Sequence, residues 1–411
     1  MSLKNRVYPR MSAQDEYESL CAHSLKFRDA YNAKDFPSDQ ERETILFVME
    51  NYYEACKVDV SDWFSFENYL VVLECLDKSS SPGYGFNSVA PTIGEYLGYN
   101  GITFKTERVM TLWEMVKIQY SNDEITCYWK VFIKLEPHKT TKQDNKLWRL
   151  ISCCPLDVQV LWQMLFAKQN DVEIRKALEI PSAQGFILPY GGWKHHYRKW
   201  KRDSLEWGSD KSAWDWTVQL WMLQLDLEFR RRQAFNQDDE WFKQAAKLYK
   251  NAFEDAQLVL SDGRVFQQTY PGIMKSGCVN TISTNSHCQV MLHVLYSLRK
   301  GISIAPMVVA VGDDTLQDEA HASDVELYES FGVKIKSVSQ TLEFLGREWS
   351  EQGPRPMYTS KHIMSLLYKS ELLLEEIFDS YLREYVNAEE FDFLLALALE
   401  LGLAGKIHSR A

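Results

Sequence analysis

The sequence lacks the features that mark membrane-spanning, secreted or disulfide-stabilised proteins. No stretch approaches the roughly eighteen apolar residues of a transmembrane helix, and the longest clean apolar run near the C-terminus is Phe393–Leu399. Residues 1–10 contain no apolar segment of the kind that signal peptides carry. The eight cysteines include no Cys-x-x-Cys pair, so zinc and redox spacings are missing and reduced thiols are expected. These absences predict a cytosolic globular protein.

An excess of basic residues, which is common in nucleic-acid-binding proteins, is also missing. The net charge is −11, but residues 371–400 alone contain nine acidic residues and one arginine. The acidity therefore belongs largely to this C-terminal region and is compatible with a local basic channel elsewhere. The acidic region itself is either a partner-binding surface or a solvated helical face, and the sequence leaves both open.

Apolar periodicity predicts a mixture of helices and strands. Residues 1–75 have the spacing of helices, and a loop rich in turn-forming residues follows at 79–85. Predicted strands are 125–135, 204–209, 307–311, 315–317 and 333–338, and predicted helices are 216–232, 276–301, 325–331 and those from 361 onward. Strands interrupted by helices in the middle of the chain predict an α+β core.

Three short segments carry the chemistry through their order. They are Asp210-x4-Asp215, Ser276-Gly277-x3-Thr281-x3-Asn285 and Gly312-Asp313-Asp314. Gly-Asp-Asp alone is expected by chance in roughly one chain in ten of this length. All three in this order, each in a suitable local context, are hard to produce by accident.

The residue types fit a site for two divalent cations. Nucleotidyl transfer uses two Mg²⁺ ions about 3.5–4 Å apart, and Mg²⁺ prefers hard oxygen ligands. Asp210 follows one predicted strand, whereas Asp313 and Asp314 lie in the turn of a predicted hairpin. Because clustered carboxylates repel one another, their convergence on cations explains the cluster better than a solvated turn does.

The middle segment fits recognition of a nucleotide. Thr281 and Asn285 are four residues apart, which places them on one face of a helix. Asn285 would reach a ribose hydroxyl together with Asp215, and the 2′-OH is the group that separates RNA from DNA. Ser276 and Gly277 precede this helix as a flexible loop, where glycine permits close approach of the backbone to a template or nucleotide.

Two clusters of basic residues would neutralise phosphates. The first comprises Lys134, Lys139, Lys142, Lys146 and Arg149. The second comprises Lys194, Arg198, Lys199, Lys201 and Arg202, interleaved with Trp193, Tyr197 and Trp200. A solvated charged face is an alternative for either cluster, but the position of the first, well before Asp210, favours a role in binding triphosphate and template.

Together these segments resemble the ordered motifs of positive-strand RNA virus RNA-dependent RNA polymerases, most of all the sobemovirus-like and picornavirus-like groups. The three segments match the family's first three palm motifs in order. The basic fingers motif, which holds the incoming triphosphate, is matched by Lys134, Lys139 and Arg149. Ser81, Gly83 and Tyr84 lie in a segment similar to the loop where the template enters, and Arg347 lies in one similar to the primer-grip turn. The resemblance covers about residues 79–349.

The resemblance implies an α+β right-hand polymerase with fingers, a palm made of an antiparallel sheet with helices, and a small helical thumb. It implies fingers at 1–200, palm at 201–230, a fingers insertion at 231–272, palm again at 273–350 and thumb at 351–411. The short thumb suggests an open channel able to accept a protein or oligonucleotide primer.

The implied reaction is attack of the RNA 3′-OH on the α-phosphate of an NTP. Asp210, Asp313 and Asp314 would bind two Mg²⁺ ions, for which Mn²⁺ would substitute. Lys336, favoured over Lys334, would be the general acid toward pyrophosphate. The expected partners are RNA template, nascent RNA, NTPs, a protein primer and other viral replication proteins, at membrane-associated replication complexes in the host cytoplasm.

Two other functions are compatible with parts of the pattern. A reverse transcriptase shares the palm chemistry, but Asn285 and Asp215 argue against it because a DNA-making site should exclude the 2′-OH. A catalytically silent RNA-binding scaffold is the other candidate, and the intact aspartates argue against it.

Overall fold

Helices and strands alternate along the chain in the computed structural model, which describes residues 3–32, 35–188 and 191–403. The helices of these residues are α1 Ala13–Phe27, α2 Asp39–Tyr52, α3 Phe66–Cys75, α4 Ile93–Leu97, α5 Thr106–Ser121, α6 Thr140–Asp144, α7 Leu156–Arg175, α8 Trp193–Arg202, α9 Leu220–Gln233, α10 Asp239–Phe253, α11 Thr281–Lys300, α12 Glu319–Ala322, α13 Val325–Ser330, α14 Thr359–Leu366, α15 Leu374–Glu384 and α16 Glu390–Glu400. The strands are β1 Arg6–Val7, β2 Val58–Asp59, β3 Tyr128–Ile133, β4 His138–Lys139, β5 Leu150–Cys153, β6 Trp207–Lys211, β7 Ala234–Phe235, β8 Gln257–Val259, β9 Val265–Gln267, β10 Val309–Val311, β11 Asp314–Gln317, β12 Ile335–Ser339, β13 Glu343–Phe344, β14 Arg347–Glu348 and β15 Arg355–Pro356.

Short polar side chains set where several helices begin and end. Ser38 and Glu41 form a reciprocal capping box at the start of α2, which satisfies backbone N–H groups that the helix leaves unpaired. Ser65 caps α3 through a single hydrogen bond, which its side chain accepts from the backbone N–H of Asn68. The long helix α11 ends at Gly301, whose left-handed backbone conformation costs glycine little.

The central palm sheet has the strand order β10-β11-β6-β12, and every neighbouring pair is antiparallel. Strand β6 lies between β11 and β12, with Ser209 opposite Thr315 and Asp210 opposite Ser337. Helix α11 packs beneath this sheet against β10 and is buried along most of its length. This arrangement brings the first and third chemical segments to one edge of the sheet.

A second sheet, in the fingers region, has the order β5-β3-β8-β9. In β3 the side chains of Trp129, Val131 and Ile133 are buried and alternate with more exposed ones, as the two-residue period of a strand requires. Strand β8 runs parallel to β3, with Tyr128 opposite Gln257. Helices α2, α3, α5, α7, α9, α10 and α11 contribute to the hydrophobic core that extends from this sheet to the palm.

The C-terminal helices α15 and α16 form a small apolar cluster of their own, which includes Phe378, Leu382 and Phe391. This cluster corresponds to the predicted small helical thumb, although its residues 404–411 lie outside the part that the structure describes. The thumb region meets the fingers region where Tyr368 stacks on Tyr8, with ring centroids 4.0 Å apart. The proposed domain boundaries remain predictions.

Several predicted elements begin at different residues from those expected. Helix α9 begins at Leu220 rather than 216, because Ala213 takes a left-handed conformation and Trp214–Trp216 form a 3-10 turn. Helix α11 begins at Thr281 rather than 276. Trp193 and Trp200 of the second basic cluster are buried, so their rings do not form the exposed stacking surface that their interleaving with cations allowed.

None of the helices in residues 3–32, 35–188 and 191–403 is both long and apolar enough to cross a membrane.

Candidate active site

The three predicted catalytic aspartates meet at the edge of the palm sheet. Asp210 is the penultimate residue of β6, and Asp314 begins β11. Gly312 turns the chain between β10 and β11 with φ +64°, a conformation that glycine adopts readily. Because Thr315 pairs with Ser209, Asp314 lies beside Asp210 across the two strands.

Burial and mutual repulsion make this cluster electrostatically unfavourable. Burial and the neighbouring carboxylates of Asp313 and Asp210 raise the pKa of Asp314 to about 6. Burial also raises the pKa of Asp313. Such crowding of carboxylates is typical of sites that bind cations or transfer protons, and it is not expected in a surface turn that only stabilises the fold.

Lys211 provides a buried positive charge beneath the aspartates, which the sequence patterns did not single out. Its Nζ donates to Thr315 Oγ1 at 2.7 Å. Burial lowers the pKa of Lys211 to about 8, whereas the carboxylates of Asp313, Asp314 and Asp210 oppose that decrease. Its position next to Asp210 in the chain was the available signal.

Lys336 rather than Lys334 reaches the aspartates. The Lys336 amine forms a hydrogen-bonded ion pair with Asp210, which raises the pKa of Lys336. Lys334 contributes its backbone carbonyl, which accepts a hydrogen bond from the N–H of Ser212 at 2.7 Å. The geometry therefore supports the choice of Lys336.

The aspartates fit part of a divalent-metal site. Within the described residues, no group of three or more His, Cys, Asp or Glu side chains is arranged so that it could hold a metal ion. Mg²⁺, however, commonly takes one or two carboxylates and completes its octahedral shell with waters and substrate phosphates. The hard oxygen donors of Asp210, Asp313 and Asp314 match that partial ligand set, and a cation would relieve the repulsion among them.

Asp215, Ser276 and Asn285 form a second polar group close by. Ser276 Oγ donates to Asp215 Oδ2. Burial raises the pKa of Asp215 to about 6, although hydrogen bonds from Ser276 and Asn285 oppose this. Asn285 Oδ1 is buried and accepts no hydrogen bond within the described part of the chain. This unsatisfied acceptor fits a hydroxyl donor supplied by a substrate.

Thr281 and Gly277 hold the loop before α11 in place. Thr281 Oγ1 donates to the carbonyls of Lys275 and Cys278, at 3.0 and 2.7 Å. A Cβ at Gly277 would lie 2.6 Å from the carbonyl oxygen of Ser152. The close approach seen at Gly277 is to the backbone of β5, and the expected approach of a template or nucleotide to this loop stays a prediction.

Ser286, which the sequence patterns did not identify, links α11 to the Gly-Asp-Asp turn. Its Oγ accepts a hydrogen bond from the backbone N–H of Gly312 at 2.9 Å and donates to the carbonyl of Ile282 at 2.8 Å. The catalytic turn is thus anchored to the same helix that carries Asn285.

We expect Ser286→Ala to lower the rate of nucleotide incorporation about tenfold, because loss of one hydrogen bond would let the turn move. Ser297→Ala is the matched control, since Ser297 is also buried in α11 and donates to the carbonyl four residues earlier at 2.8 Å. Single-turnover incorporation rates for both variants provide the measurement. Equal rates for the two variants would show that this anchor does not position the turn.

Cations of the predicted fingers motif surround Glu136. Arg149 Nη1 lies 2.8 Å from Glu136 Oε1, and Lys134 Nζ lies 3.5 Å from Glu136 Oε2. Lys361 of α14 forms a third ion pair with Glu136 at 3.0 Å. Lys139 is exposed in β4, opposite Arg6 of β1.

Lys26 and Lys142 extend the positive region toward the aspartates. Burial lowers the pKa of Lys142, and the positive charges of Lys26, Arg149 and Lys336 lower it further. Arg149 in turn lowers the pKa of Asp215 and Asp313 against the effect of their burial. Several positively charged side chains therefore lie near the aspartates, as the overall acidity of the protein had left open.

The predicted RNA-binding residues lie in two tight turns. Gly83 has φ +83°, and a Cβ there would lie 2.5 Å from the carbonyl oxygen of Cys154. Its N–H donates to Ser81 Oγ at 3.3 Å, and the neighbouring Tyr84 is exposed and packs edge-on against Tyr128. This loop therefore lies against the start of α7.

Arg347 follows the turn between β13 and β14 and faces the thumb region. Leu345 and Gly346 both have positive φ, at 54° and 67°, which suits a tight two-residue hairpin. Arg347 Nη2 forms an ion pair with Glu384 of α15 at 2.9 Å. In this structure its guanidinium donates to Glu384 and to the carbonyl of Leu345, and its contact with RNA stays a prediction.

The N-terminal region, in which no motif was found, supports the residue next to Asp215. The ring of His23 in α1 stacks on Trp216 with centroids 4.9 Å apart. Tyr31 Oη donates to the Trp216 carbonyl at 2.7 Å. Contacts between segments this far apart in the chain leave no local sequence signal.

Comparison with known proteins agrees with this geometry. The profile of the viral RNA-dependent RNA polymerase family matches residues 41–391. The chain belongs to this family. The predicted resemblance is therefore confirmed.

Individual relatives of this polymerase-family chain are distant. Protein P2-P3 of Poinsettia latent virus is 28% identical over 404 residues, which cover 89% of this chain and 35% of that protein. An RNA-directed RNA polymerase of mushroom bacilliform virus is 30% identical over 250 residues, covering 59% of this chain and 57% of that protein. The chain thus spans about a third of the Poinsettia latent virus protein and just over half of the mushroom bacilliform virus protein.

A solved structure shows the same fold. The 3Dpol RNA-dependent RNA polymerase of a sicinivirus superposes with a TM-score of 0.70 and 17% identity, covering 97% of this chain and 89% of that one. The predicted α+β polymerase fold is confirmed.

Proposed function

We propose that this chain catalyses template-directed RNA synthesis by transferring nucleotides from NTPs to an RNA 3′-OH during viral replication. The observation that carries the proposal is the convergence of Asp210, Asp313 and Asp314 with Lys336 at the edge of the palm sheet. A polar cleft of about 80 Å³ runs from Asp210 and Asp314 to the turn at 344–346. This cleft connects the aspartates with the predicted primer-grip turn.

In the proposed reaction each group has a separate task. The aspartates would hold two Mg²⁺ ions, or Mn²⁺ in their place, which supply charge stabilisation for the attacking and leaving oxygens. Arg149, Lys134 and Lys139 bind the triphosphate. Lys336 donates its proton to the pyrophosphate oxygen that leaves, since its ammonium is held next to Asp210.

Asp215 and Asn285 would select ribose. A 2′-OH would donate to the unsatisfied Oδ1 of Asn285, while Ser276 keeps Asp215 in place.

We expect Asn285→Ala to lower kcat/KM for an NTP about tenfold or more. The kcat/KM for the matching dNTP should change little, because a dNTP lacks the 2′-OH that Asn285 would bind. Equal losses for the two substrates would contradict this role.

A primed RNA template with Mg²⁺ provides the direct test. We expect incorporation of each complementary NTP, dependence on the divalent cation, and strong preference for NTPs over dNTPs. Preference for dNTPs would indicate a reverse transcriptase. RNA binding without any incorporation, in either Mg²⁺ or Mn²⁺, would indicate a silent scaffold.

The cellular setting follows from the proposed activity. We propose that the chain acts with other viral replication proteins and a protein primer at membrane-associated complexes in the host cytoplasm. A relative from southern cowpea mosaic virus, which is 33% identical over 192 residues and is named a replicase polyprotein, supports such partners. Efficient initiation on a short template without any primer would contradict the protein-primer proposal.

A further inference from the structure

Glu136 occupies an unusual position for an acidic residue in a predicted triphosphate-binding region. It lies between three cations that come from three different segments: Lys134 after β3, Arg149 before β5 and Lys361 in α14. Its side chain is 17% exposed, whereas that of Arg149 is 57% exposed. The acid is therefore fixed in the protein, and the arginine that it holds is accessible to a ligand.

The charges at this position are strongly coupled. Burial alone would raise the pKa of Glu136, but Arg149, Lys361 and Lys134 lower it to about 2. Burial, followed by the charge of Arg149, lowers the pKa of Lys134. A single carboxylate thus compensates cations that would otherwise repel one another in a partly buried site.

The same place joins the fingers and thumb regions. Tyr8, next to β1, donates from its Oη to the carbonyl of Leu135 at 3.2 Å, one residue before Glu136. The ring of Tyr8 stacks on Tyr368, just after α14. The Glu136–Lys361 ion pair is therefore part of a wider contact and not an isolated surface pair.

We propose that Glu136 is a positioning residue that holds Arg149 and Lys134 ready for the incoming triphosphate and that Lys361 of the thumb region sets how tightly it holds them. This inference rests on the proposed function. Triphosphate oxygens compete with the Glu136 carboxylate for Arg149 and Lys134. Lys361, which shares the same carboxylate, weakens its hold on those two cations and so favours binding of the nucleotide.

Two substitutions should then change NTP binding in opposite directions. Glu136→Gln keeps the shape but removes the competing charge, so KM for NTP and the inhibition constant of pyrophosphate should each fall about threefold or more at low salt. Its kcat should also fall, because Arg149 loses its orientation. In Lys361→Met the Glu136 carboxylate pairs only with Arg149 and Lys134 and therefore holds them more tightly. KM for NTP should then rise by a similar factor.

The double variant separates action through Glu136 from a direct effect of Lys361 on phosphate. If Lys361 acts through Glu136, Lys361→Met should leave KM unchanged in the Glu136→Gln background. An undiminished rise in KM in that background would overturn the proposal. A fall in kcat alone for Glu136→Gln, with unchanged KM and pyrophosphate inhibition, would overturn it as well, since that is what a purely structural role predicts.

Matched controls come from one exposed ion pair and one exposed lysine that are not among the ion-pair partners of Glu136. Glu114→Gln removes the acid of an exposed pair with Lys117, and Lys369→Met removes an exposed lysine close to Lys361 in the chain. Both should leave KM unchanged, and thermal unfolding midpoints show whether each variant is folded. If wild-type protein incorporates NTPs but Glu136→Gln behaves like Glu114→Gln, this inference alone fails. Absence of incorporation by wild-type protein would instead refute the proposed function.

Discussion

Asp313→Ala should abolish nucleotide incorporation while RNA binding and folding are retained. The Asp313 carboxylate lies in the turn next to Asp314, and the turn is held by the Ser286–Gly312 hydrogen bond, which the substitution does not touch. Loss of a metal ligand removes several kcal/mol of charge stabilisation in the transition state, which corresponds to a decrease in rate of at least about a thousandfold. A primed-template assay with saturating NTP and Mg²⁺ measures the rate, and fluorescence anisotropy with labelled RNA measures binding.

The stability of this variant provides a second, independent readout. Burial raises the pKa of Asp313, and the Asp210 carboxylate raises it further despite opposition from Lys211. The ionised carboxylate therefore disfavours the folded state at neutral pH, and its removal should leave the thermal unfolding midpoint unchanged or raise it. Asp262→Ala, in the exposed turn before β9 where Asp262 pairs with Arg264, should retain wild-type incorporation. Elongation at a normal rate by the Asp313 variant would refute the active-site assignment.

The palm could be predicted from sequence because its signals are local. The hairpin of β10 and β11 is indicated by the apolar run 307–311 and the turn at Gly312, and the end of α11 by Gly301. The order of the three chemical segments then indicated which strand ends converge. The prediction of a strand ending near Asp210 was close, because β6 extends to Lys211.

The fingers sheet and the charges around Glu136 could not be predicted in the same way. Strand β8 pairs with β3 in parallel across a long stretch of chain, and three-residue strands such as β8 and β9 carry almost no periodic signal. Glu136 and Lys361 are 225 residues apart. In the sequence Glu136 lies between Lys134 and Lys139, but nothing nearby indicates that Lys361 also pairs with it.

Asp226 shows the same limit inside a single helix. In sequence it is one polar residue of an amphipathic stretch, and a solvated position would be the ordinary expectation. In the structure it is fully buried in α9 and accepts hydrogen bonds from Tyr249 Oη at 2.5 Å and Thr284 Oγ1 at 2.7 Å. Arg230 and His287 lie against it at 3.1 and 2.6 Å. Three of these four partners come from α10 and α11, which pattern analysis of α9 does not reveal.

We therefore expect Asp226→Asn to lower the free energy of unfolding by about 3–5 kcal/mol, because removing one partner leaves buried charge without compensation. Glu228→Gln is the matched control, since Glu228 lies on the same helix but forms exposed and half-buried pairs with Arg231 and Arg232. Such pairs contribute about 0–1 kcal/mol. Urea unfolding at pH 7 measures both variants, and equal losses would contradict the role assigned to Asp226.

His287 connects Asp226 of α9 with Glu173 of α7, and its charge should be visible in the pH dependence of stability. Burial would lower the pKa of His287, but the carboxylates of Glu173 and Asp226 outweigh it and raise that pKa above 6.5. A raised folded-state pKa contributes stability that is complete below about pH 6.5, the value for an unfolded chain, and is lost as the pH rises through the folded value. Wild-type protein should therefore lose stability between pH 6.5 and alkaline pH, and His287→Gln should reduce that slope. An unchanged slope would mean that His287 is neutral in the folded protein and that its contacts with Asp226 and Glu173 are hydrogen bonds without an ion pair.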